Sequence, residues 1–351
     1  MSTTAIVILN WNGEKYLKQF LPVLIQHTTR DDVTIYVADN GSTDGSLEML
    51  KAEFDAVKTV VLDKNYGFAG GYNRALEQIA ADYYLLLNSD VEVTGNWLEP
   101  LVTFMDANKD VAACQPKIRS YHNRNQFEHA GAAGGFIDFL GYPFCRGRIL
   151  AKVEEDNGQY NTITDIFWAT GACLFIRAYA FHECGGFDDD FFAHMEEIDL
   201  CWRLRSRGLR LVCIPQSVVY HVGGGTLHVE HPHKTYLNFR NNLLLLYKNL
   251  PQRKFLPIFF VRFFLDYLAA FQLFVTGKPK NAQAVFKARR DFSKMLPAFK
   301  MKRKENLEKT IQTAIPEITS KSIILNYYFF GHKRFSDLFK TVEAQKKANS
   351  E

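Results

Sequence analysis

Residues 83–90 read YYLLLNSD, an apolar run that is followed at once by Asn88, Ser89 and Asp90. Three further apolar or β-branched runs precede it, namely AIVIL at 5–9, VTIYVA at 33–38 and VKTVVL at 57–62. Amphipathic stretches that could be helices separate the runs, at 13–28, 44–54 and 69–80. Strands that alternate with helices are typical of a parallel sheet covered by helices. The sequence therefore predicts an α/β fold.

Polar residues follow each of the four predicted strands. Asn10 follows the first strand, Asp39 the second and Asn65 the third. Asn88 and Asp90 follow the fourth. In an open α/β sheet the ligand crevice lies beyond the carboxyl ends of the strands, so these residues are expected to converge on one site.

Asp90 and His221 are the candidate metal ligands. An Asp directly after a strand can bind a divalent cation that also binds phosphate oxygens, although many such residues only form turns. His221 ends the run SVVYH and precedes Gly223, where its imidazole could bind the same metal or serve only as a structural residue. A carboxylate, an imidazole and a diphosphate suit Mg²⁺ or Mn²⁺ better than a structural zinc ion.

The glycine-rich stretch NYGFAGGYN at 65–73 precedes or opens a predicted helix. It would let the backbone approach a ligand closely, and a helix start favours an anion. The glycines do not read G-x-G-x-x-G and no G-x-x-x-x-G-K-[ST] occurs, so neither a Rossmann fingerprint nor a P-loop is present. A flexible turn with a glycine-rich helix start is the alternative.

Glu196, Glu197 and Asp199 form an acidic cluster at the start of another predicted helix. Acids are favoured there by the helix dipole, so the cluster could be a solvated first turn. It could equally supply a general base, whose carboxylate takes a proton from an attacking hydroxyl. Helical spacing puts Glu196 and Asp199 on one face and turns Glu197 about 100° away, which leaves the choice among them open.

Seven motifs, in their order and spacing, closely resemble those of the family 2 glycosyltransferases with a GT-A fold. They are VILNWN, ADNGSTDGS, NYGFAGGYN, NSD, WATGACLFIR, FFAHMEEIDLCWRLRSRG and HVGGGT. The similarity covers roughly residues 5–230, and the most similar subset comprises bacterial enzymes that add rhamnose or related sugars to surface polysaccharide. The resemblance implies a Rossmann-like, mostly parallel sheet with helices on both faces.

The resemblance also implies roles on the donor side. Asp39 would contact the base or ribose of a nucleotide-sugar, with Asn10 and Asn12 in the same pocket. The donor loop would contribute three more residues, Asn65, Phe68 and Asn73. Asp90 is the last position of the D-x-D-like metal motif, Asn88 replaces the first Asp of that motif, and His221 matches the metal-binding histidine.

On the acceptor side, the resemblance assigns the catalytic base to the second residue of an acidic pair, which is Glu197 here. This pair is usually Glu-Asp, so the longer Glu197 leaves Glu196 and Asp199 as fallback candidates. Trp168 and Gly171 would lie at the floor of the acceptor site, although an aromatic and small residues before an apolar run also suit a buried strand.

The implied reaction is an inverting, metal-dependent transfer from a nucleotide-diphosphate sugar to a hydroxyl of a saccharide acceptor, in surface polysaccharide synthesis. Two alternatives stay open. A catalytically inactive scaffold of a polysaccharide assembly complex would keep the fold, but it would have no reason to keep all the acids and His221. A sugar-nucleotide pyrophosphorylase would want a basic glycine-rich loop after the first strand, where this chain reads NWNG.

The C-terminal region combines charge with hydrophobicity. Residues 248–304 hold 14 Lys and Arg but two acids, Asp266 and Asp291, and they include the run FLPIFFVRFFLDYLAAFQLFVT at 255–276. We expect an interfacial helix in which Arg262 and Asp266 pair, flanked by bases that include Lys248 and Arg253, at a membrane that carries a lipid-linked acceptor. A helix packed on the catalytic domain is the alternative. The aromatic residues are too densely apolar for a nucleic-acid groove, so no nucleic-acid partner is expected.

This pattern divides the chain into a GT-A catalytic domain at 1–247 and a C-terminal helical region at 248–351.

Composition is close to the globular average, with 47% hydrophobic and 23% charged residues. The six cysteines form no C-x-x-C pair and are expected to be reduced, and the N-terminus shows no signal peptide. The expected location is cytoplasmic, peripheral on the inner face of the cell membrane.

Overall fold

The computed structural model describes residues 2–223 and 231–339. The last part of the HVGGGT motif, from Gly224 on, lies outside the described residues. The first ninety residues form the predicted alternation of strands and helices. These elements are β1 (Thr4–Asn10), α1 (Glu14–Gln26), β2 (Val33–Asn40), α2 (Ser46–Glu53), β3 (Lys58–Leu62), α3 (Gly67–Leu76) and β4 (Tyr83–Asn88).

The middle of the chain, residues 91–221, adds nine strands and three α-helices. These are β5 (Val91–Val93), α4 (Glu99–Ala107), β6 (Val111–Ser120), β7 (Gly135–Asp138), β8 (Pro143–Cys145), β9 (Arg148–Ile149), β10 (Lys152–Val153), β11 (Thr164–Asp165), β12 (Cys173–Arg177), α5 (Ala178–Glu183), α6 (Glu196–Ser206) and β13 (Arg210–His221). The C-terminal elements are α7 (Pro232–Asn249), α8 (Gln252–Val275), α9 (Pro279–Glu308), β14 (Ile318–Thr319) and α10 (Ile323–Tyr328).

The main sheet has the order β11-β13-β6-β12-β4-β1-β2-β3, and β5 pairs with β13 beside this path. β4, β1, β2 and β3 are parallel, whereas β12 runs antiparallel between β4 and β6. Because β12 reverses direction, the sheet is mixed rather than wholly parallel. The carboxyl ends of β1, β2 and β4 nevertheless meet at one edge, as the sequence predicts.

Helices cover both faces of this sheet, and each face has its own apolar core. On one face, α1, α2 and α4 bury residues such as Leu17, Met49 and Leu101. On the other face, α3, α5 and α6 bury residues such as Tyr72 and Phe181. The main sheet is therefore packed between two layers of helices.

Residues 116–165, which the sequence leaves unassigned, complete β6 and build a second, small sheet. Its order is β10-β9-β8-β7-β14, so a strand from the far C-terminal part closes it. Phe144 on β8 stacks on Phe339 with ring centroids 6.3 Å apart, and Phe136 lies 5.0 Å from Phe335. The small sheet and the far C-terminal part of the chain thus share one core.

Ion pairs fasten α7 and α9 to Asp188, which precedes α6, and to Asp199 of α6. Lys248 of α7 is buried, and its Nζ donates to Asp188 Oδ2 at 2.7 Å and to Asp199 Oδ2 at 2.9 Å. Lys302 of α9 donates to Asp188 Oδ1 at 2.5 Å. The sequence predicts that Lys248 is one of the bases flanking an interfacial helix. In the structure Lys248 is instead buried and ion-paired. The predicted division after residue 247 also falls inside α7.

Candidate active site

A hydrogen-bonded pair ties the ends of β1 and β2 together. Asn10 and Asp39 are both fully buried, and Asn10 Nδ2 donates to Asp39 Oδ1 at 3.1 Å. Asp39 Oδ2 accepts the backbone N–H of Ser42 at 2.9 Å. Asn12 lies beside them, because its backbone N–H donates to Ser42 Oγ at 2.9 Å and its Oδ1 accepts the N–H of Thr43 at 2.7 Å. These contacts place three of the predicted donor-side residues together.

The end of β4 lies against the same pair. A Cβ atom at Gly13 would fall 2.4 Å from Asn10 Oδ1 and 3.6 Å from Ser89 Oγ. Gly13 therefore lets the turn after β1 approach the Asn88-Ser89-Asp90 segment. The ends of β1, β2 and β4 therefore lie close together.

Asn40, the last residue of β2, is a site residue that the sequence motifs do not single out. Its Nδ2 donates to Asn65 Oδ1 at 3.1 Å and to the Gly67 carbonyl at 3.0 Å, while its Oδ1 accepts the Tyr66 N–H at 3.0 Å. Asn65 Oδ1 also accepts the Gly67 N–H at 2.8 Å. Asn40 thus fixes the third connection and the position of Asn65 within it.

The start of α3 is occupied by a carbonyl group of the chain itself. The backbone N–H groups of Phe68 and Ala69 donate to the Phe192 carbonyl at 2.7 and 3.2 Å. Gly67 has φ +73°, and a Cβ atom there would lie 2.7 Å from the same carbonyl oxygen. These two amide groups are therefore not free to bind the anion that the glycine-rich stretch led us to expect.

Phe68 and Asn73, two predicted donor-loop residues, join α3 to the segment before α6. The Phe68 ring packs on Phe187 with ring centroids 5.8 Å apart. Asn73 Nδ2 donates to the Phe187 carbonyl at 2.8 Å and to Asp189 Oδ1 at 2.7 Å, and its Oδ1 accepts the Phe187 N–H at 3.0 Å. The hydrogen-bonding capacity of the Asn73 amide is thus used within the protein.

Asp90 and His221 meet at the end of β4, as predicted. His221 Nε2 lies 3.1 Å from Asp90 Oδ1 and 3.4 Å from Asn88 Nδ2. On the other side of the ring, His221 Nδ1 lies 3.6 Å from Glu128 Oε2. His221, Asp90 and Glu128 are all buried. Glu128 lies in the stretch 116–165, which the sequence leaves unassigned. Other acidic residues of this stretch have similar sequence surroundings, so no sequence pattern distinguishes Glu128 from them.

The charges in this group support one another. Burial works against the imidazolium, but the Asp90 and Glu128 carboxylates outweigh it and raise the pKa of His221 to about 10. Burial likewise opposes the two carboxylates, yet the His221 imidazolium lowers the pKa of Asp90 and that of Glu128. The two carboxylates therefore favour the imidazolium form of His221, and Nε2 would have to give up its proton before it could ligate a cation.

The Asp90–His221 pair fits a hard divalent cation whose other ligands come from phosphate. A carboxylate oxygen and an imidazole nitrogen converge within 3.1 Å, and this donor set suits Mg²⁺ or Mn²⁺. Glu128 faces the second ring nitrogen, the position from which a carboxylate orients a ligating histidine. Within residues 2–223 and 231–339, no group of three or more His, Cys, Asp or Glu side chains could hold a metal by itself.

The three acids of the α6 cluster lie in different environments. Asp199 is fully buried, and its Oδ2 accepts from Arg203 Nε and from Lys248 Nζ, both at 2.9 Å. Its Oδ1 accepts from Asn249 Nδ2 at 2.8 Å. Burial opposes ionisation, but these partners lower the pKa of Asp199 to about 2. Asp199 is therefore a structural anion that holds α7.

Glu196 and Glu197 have free carboxylate oxygens. Glu196 is buried and Glu197 half-buried, and the Oε2 of each is shielded from solvent without a hydrogen-bond partner. Burial, together with the charge of Glu197, raises the pKa of Glu196 well above its usual range. Burial raises the pKa of Glu197 to about 7. Glu197 is thus the member of the pair that changes charge near neutral pH.

A strained segment presents these two acids. Phe192, His194 and Met195 all have positive φ, at 64°, 70° and 74°. Such backbone is costly for non-glycine residues and persists where surrounding contacts hold it. Here Asn241 of α7, fully buried, donates from Nδ2 to the Phe191, Ala193 and His194 carbonyls at 2.7–2.9 Å. Asn241, like Asn40 and Glu128, is a candidate site residue that the sequence motifs do not single out.

Trp168 and Gly171, the predicted acceptor-side residues, are buried. Trp168 Nε1 donates to the Phe136 carbonyl at 2.9 Å, and its ring covers Gly135 so closely that a Cβ there would lie 2.1 Å away. A Cβ at Gly171 would lie 2.9 Å from the Phe68 ring. Both residues therefore pack within the protein interior.

Comparison with known proteins identifies the family. The profile described as "Glycosyl transferase family 2" matches residues 5–185, about half of the chain. The chain belongs to glycosyltransferase family 2. The curated relatives of this glycosyltransferase include the N-acetylglucosaminyl-diphospho-decaprenol L-rhamnosyltransferase of Mycobacterium tuberculosis, which is 27% identical over 62% of this chain and 75% of the relative. The rhamnosyltransferase WbbL of Escherichia coli K12 is 21% identical over 72% of this chain and 94% of WbbL.

Solved structures confirm the GT-A fold. GalNAc-T7, crystallised with UDP, GalNAc and Mn²⁺, has a TM-score of 0.56 and 17% identity, over 84% of this chain and 55% of that one. The mannosyltransferase PcManGT of Pyrobaculum calidifontis, in complex with GDP-Man and Mn²⁺, has a TM-score of 0.52 and 14% identity, over 88% and 84%. Both the fold and the enzyme class that the motifs imply, a rhamnosyltransferase-like family 2 glycosyltransferase, are therefore confirmed.

Proposed function

We propose that this glycosyltransferase moves a sugar of the rhamnosyl type from a nucleotide-diphosphate sugar to a hydroxyl of a lipid-linked saccharide, with inversion and with a divalent metal. The observation that carries this proposal is that the acidic residues have different hydrogen-bond and ion-pair partners. Asp90 is held with His221, Asp199 is neutralised by cations, and Glu197 keeps an oxygen without a partner.

On the donor side, Asn10, Asn12 and Asp39 would line the nucleoside pocket, with Asn65 and Asn88 at its edges. Asp90 and His221 would hold Mg²⁺ or Mn²⁺, and when bound the ion would stabilise the negative charge of the departing diphosphate. Glu128 would keep the His221 ring in the orientation that directs Nε2 towards Asp90. The family relatedness and the intact acid set support transfer over the scaffold and pyrophosphorylase alternatives.

On the acceptor side, Glu197 would take the proton of the attacking hydroxyl. The hydroxyl oxygen would form the new bond to the anomeric carbon while the bond from that carbon to the diphosphate oxygen breaks on the opposite face. A single displacement of this kind inverts the anomeric configuration and forms no covalent glycosyl-enzyme. A carboxyl with a pKa near 7 is suited to accept a proton at neutral pH.

For the acceptor, the name of the mycobacterial relative specifies a diphospho-decaprenol carrier, that is, a saccharide on a membrane lipid. By analogy we propose a lipid-linked saccharide acceptor for this chain, and a site of action at the cytoplasmic face of the cell membrane in polysaccharide synthesis.

The test is a transfer assay with the full-length protein and Mn²⁺. A panel of nucleotide sugars, including nucleotide-linked rhamnose, is combined with N-acetylglucosaminyl diphosphate on a short prenyl chain, and products are read by mass spectrometry and by NMR of the new linkage. We expect one donor to give a product of inverted anomeric configuration, and no product without metal. A product of retained configuration, or equal turnover in chelator, would overturn the proposed mechanism.

A further inference from the structure

Helix α8 has two faces of opposite character. Its buried face repeats every four residues, with Ile258, Arg262, Asp266 and Ala270. The opposite face is apolar and exposed, with side chains 57% to 71% accessible. Its members are Leu256, Phe260, Phe264, Leu268, Phe271 and Val275. We call these six residues the apolar face of α8.

The buried face fixes the rotation of α8 on the protein. Arg262 Nη2 donates to Asp266 Oδ1 at 3.1 Å, and Arg262 Nη1 donates to the Leu140 carbonyl at 2.8 Å. Arg289 of α9 donates to Asp266 Oδ2 at 2.5 Å. Since Arg262 and Asp266 are both buried and paired, α8 has a single orientation in which its apolar face is turned outward.

By length and composition, α8 is the one helix of the described residues that could cross a membrane. Its packing against α9 argues against a span. Phe259 stacks on Phe292 at 5.6 Å and Tyr267 contacts Phe286 at 5.3 Å, so α9 runs alongside α8. A spanning α8 would carry the exposed Lys287 and other bases of α9 into hydrocarbon, which is costly.

The charged side chains exposed on α8 and on the neighbouring α9, up to residue 304, have one sign. Between residues 251 and 304, both acids are shielded: Asp266 is buried, and Asp291 is half-buried with Arg290 at 3.4 Å. The exposed ionised side chains of this range are all basic. They are Arg253, Lys254, Lys280, Lys287, Arg290, Lys294, Lys300 and Lys304. An apolar surface among bases is complementary to an anionic bilayer.

We infer that α8 lies in the plane of an anionic lipid bilayer, with its apolar face inserted among the acyl chains and the bases of α8 and α9 against the headgroups. This attachment holds the whole glycosyltransferase, because α8 is ion-paired to the rest of the protein. It deepens the proposed function by specifying how the enzyme would reach a lipid-linked acceptor, but its evidence is the surface of α8 and not the catalytic site.

The first experiment is sedimentation of the full-length protein with vesicles of phosphatidylcholine alone or mixed with phosphatidylglycerol. We expect binding to the anionic vesicles, and a loss of roughly tenfold or more in the double variant Phe260→Ser/Phe264→Ser, because two apolar side chains no longer insert. The matched control is Val61→Ser. Val61 is an exposed apolar residue of β3, the edge strand of the main sheet, and its substitution should leave vesicle binding unchanged.

A triple variant, Lys287→Gln/Arg290→Gln/Lys294→Gln, tests the charge. It should bind anionic vesicles several-fold more weakly and respond less to added salt, whereas binding of the parent protein should fall as salt screens the attraction. Unchanged melting temperatures in all variants would show that these exposed positions do not hold the fold. Transfer to a short-chain, water-soluble acceptor should be unaffected, so a failure of lipid binding is distinguishable from a failure of the proposed catalysis.

Three outcomes would overturn the inference. If the double and the triple variant both bind anionic vesicles as tightly as the parent protein, another surface contacts the lipid. Resistance of the cell-membrane pool to alkaline carbonate extraction would show that the helix spans. A dimer that dissociates in the Phe260→Ser/Phe264→Ser variant, without lipid binding by the parent, would show that the apolar face is covered by a second copy.

Discussion

At the scale of single residues, environment and not chemical type separates the acids. Asp90, Asp199 and Glu197 are all carboxylic acids, yet their neighbours differ. A histidine accompanies Asp90, two cations and an amide surround Asp199, and Glu197 has an oxygen without a partner. Each neighbourhood shifts the pKa of its acid differently, and the role that we propose for each acid follows from this difference.

The role of Asp90 can be tested by replacing it with alanine. We expect Mn²⁺ and a nucleoside diphosphate together to raise the melting temperature of the parent protein, since a ligand at 100 times its Kd adds about 2.7 kcal/mol to stability. Asp90→Ala should lose this joint shift. Asp55→Ala, at an exposed loop position, should keep it. A full Mn²⁺-dependent shift in Asp90→Ala would contradict the metal assignment.

The titration of Glu197 predicts a pH dependence. Because burial raises its pKa to about 7, the base form is present above that pH and is lost as the pH falls. We expect kcat to be level above pH 8 and to fall about tenfold per pH unit well below 7. The measurement is kcat between pH 5 and 9 with saturating substrates. An acidic limb near the ordinary glutamate value of 4.5 would contradict this.

At the scale of elements, the predictable parts of the site are those that follow from strand periodicity. The four strands, and the polar residues at their carboxyl ends, can be found from the apolar runs alone, and Asn10, Asp39 and Asn88 lie where the runs place them. Glu128 and Asn241 cannot be found in this way. Each reaches the site through contacts between segments far apart in sequence, and a local pattern carries no signal of such contacts.

Asn241 provides a prediction at this scale, because it joins α7 to the strained segment before α6. Asn241→Leu should remove the Asn241 donor from the Ala193 and His194 carbonyls, while the Phe191 carbonyl keeps Arg240 as a donor. The loss should lower the free energy of unfolding by about 1–3 kcal/mol. It should also lower kcat per folded molecule, with donor affinity unchanged, because the position of Glu197 depends on this segment. Urea unfolding and steady-state kinetics measure the two effects.

The neighbouring Asn242→Leu is the matched control. Asn242 is also buried, but its Nδ2 donates to the Gly141 carbonyl at 2.7 Å, away from the acidic pair. It should lose stability while kcat per folded molecule stays near the parent value. Equal kcat in both variants would show that Asn241 acts only on the fold.

At the scale of the whole molecule, the C-terminal helices are part of one structure with the sheet. Lys248 and Lys302 bring α7 and α9 to Asp188, and β14 extends the small sheet. The sequence predicts an apolar, basic C-terminal region but not these links, because a lysine in a basic stretch looks the same whether it is solvated or paired with a buried acid. A truncation before Lys248 would therefore test folding rather than location.

Lys248→Met tests this integration. Removing Lys248 leaves Asp188 with Lys302 and Asp199 with Arg203, so both buried carboxylates are only partly compensated. The free energy of unfolding should fall by up to about 3–5 kcal/mol. Lys254→Met, at an exposed position of α8, should change it by less than about 0.5 kcal/mol. Urea unfolding of the two variants is the measurement. Equal stabilities would show that the link between the two parts of the chain is not energetically important.

The central claim is that Glu197 is the base of an inverting sugar transfer, and the most direct measurement is the rate of transfer by Glu197→Gln with donor and Mn²⁺ saturating. We predict a rate lower by about 10²–10⁴-fold with donor binding nearly unchanged, because the amide cannot accept the proton. Glu196→Gln, which replaces a carboxyl already held neutral, should stay within several-fold of the parent rate. Transfer by Glu197→Gln at the parent rate would contradict the account.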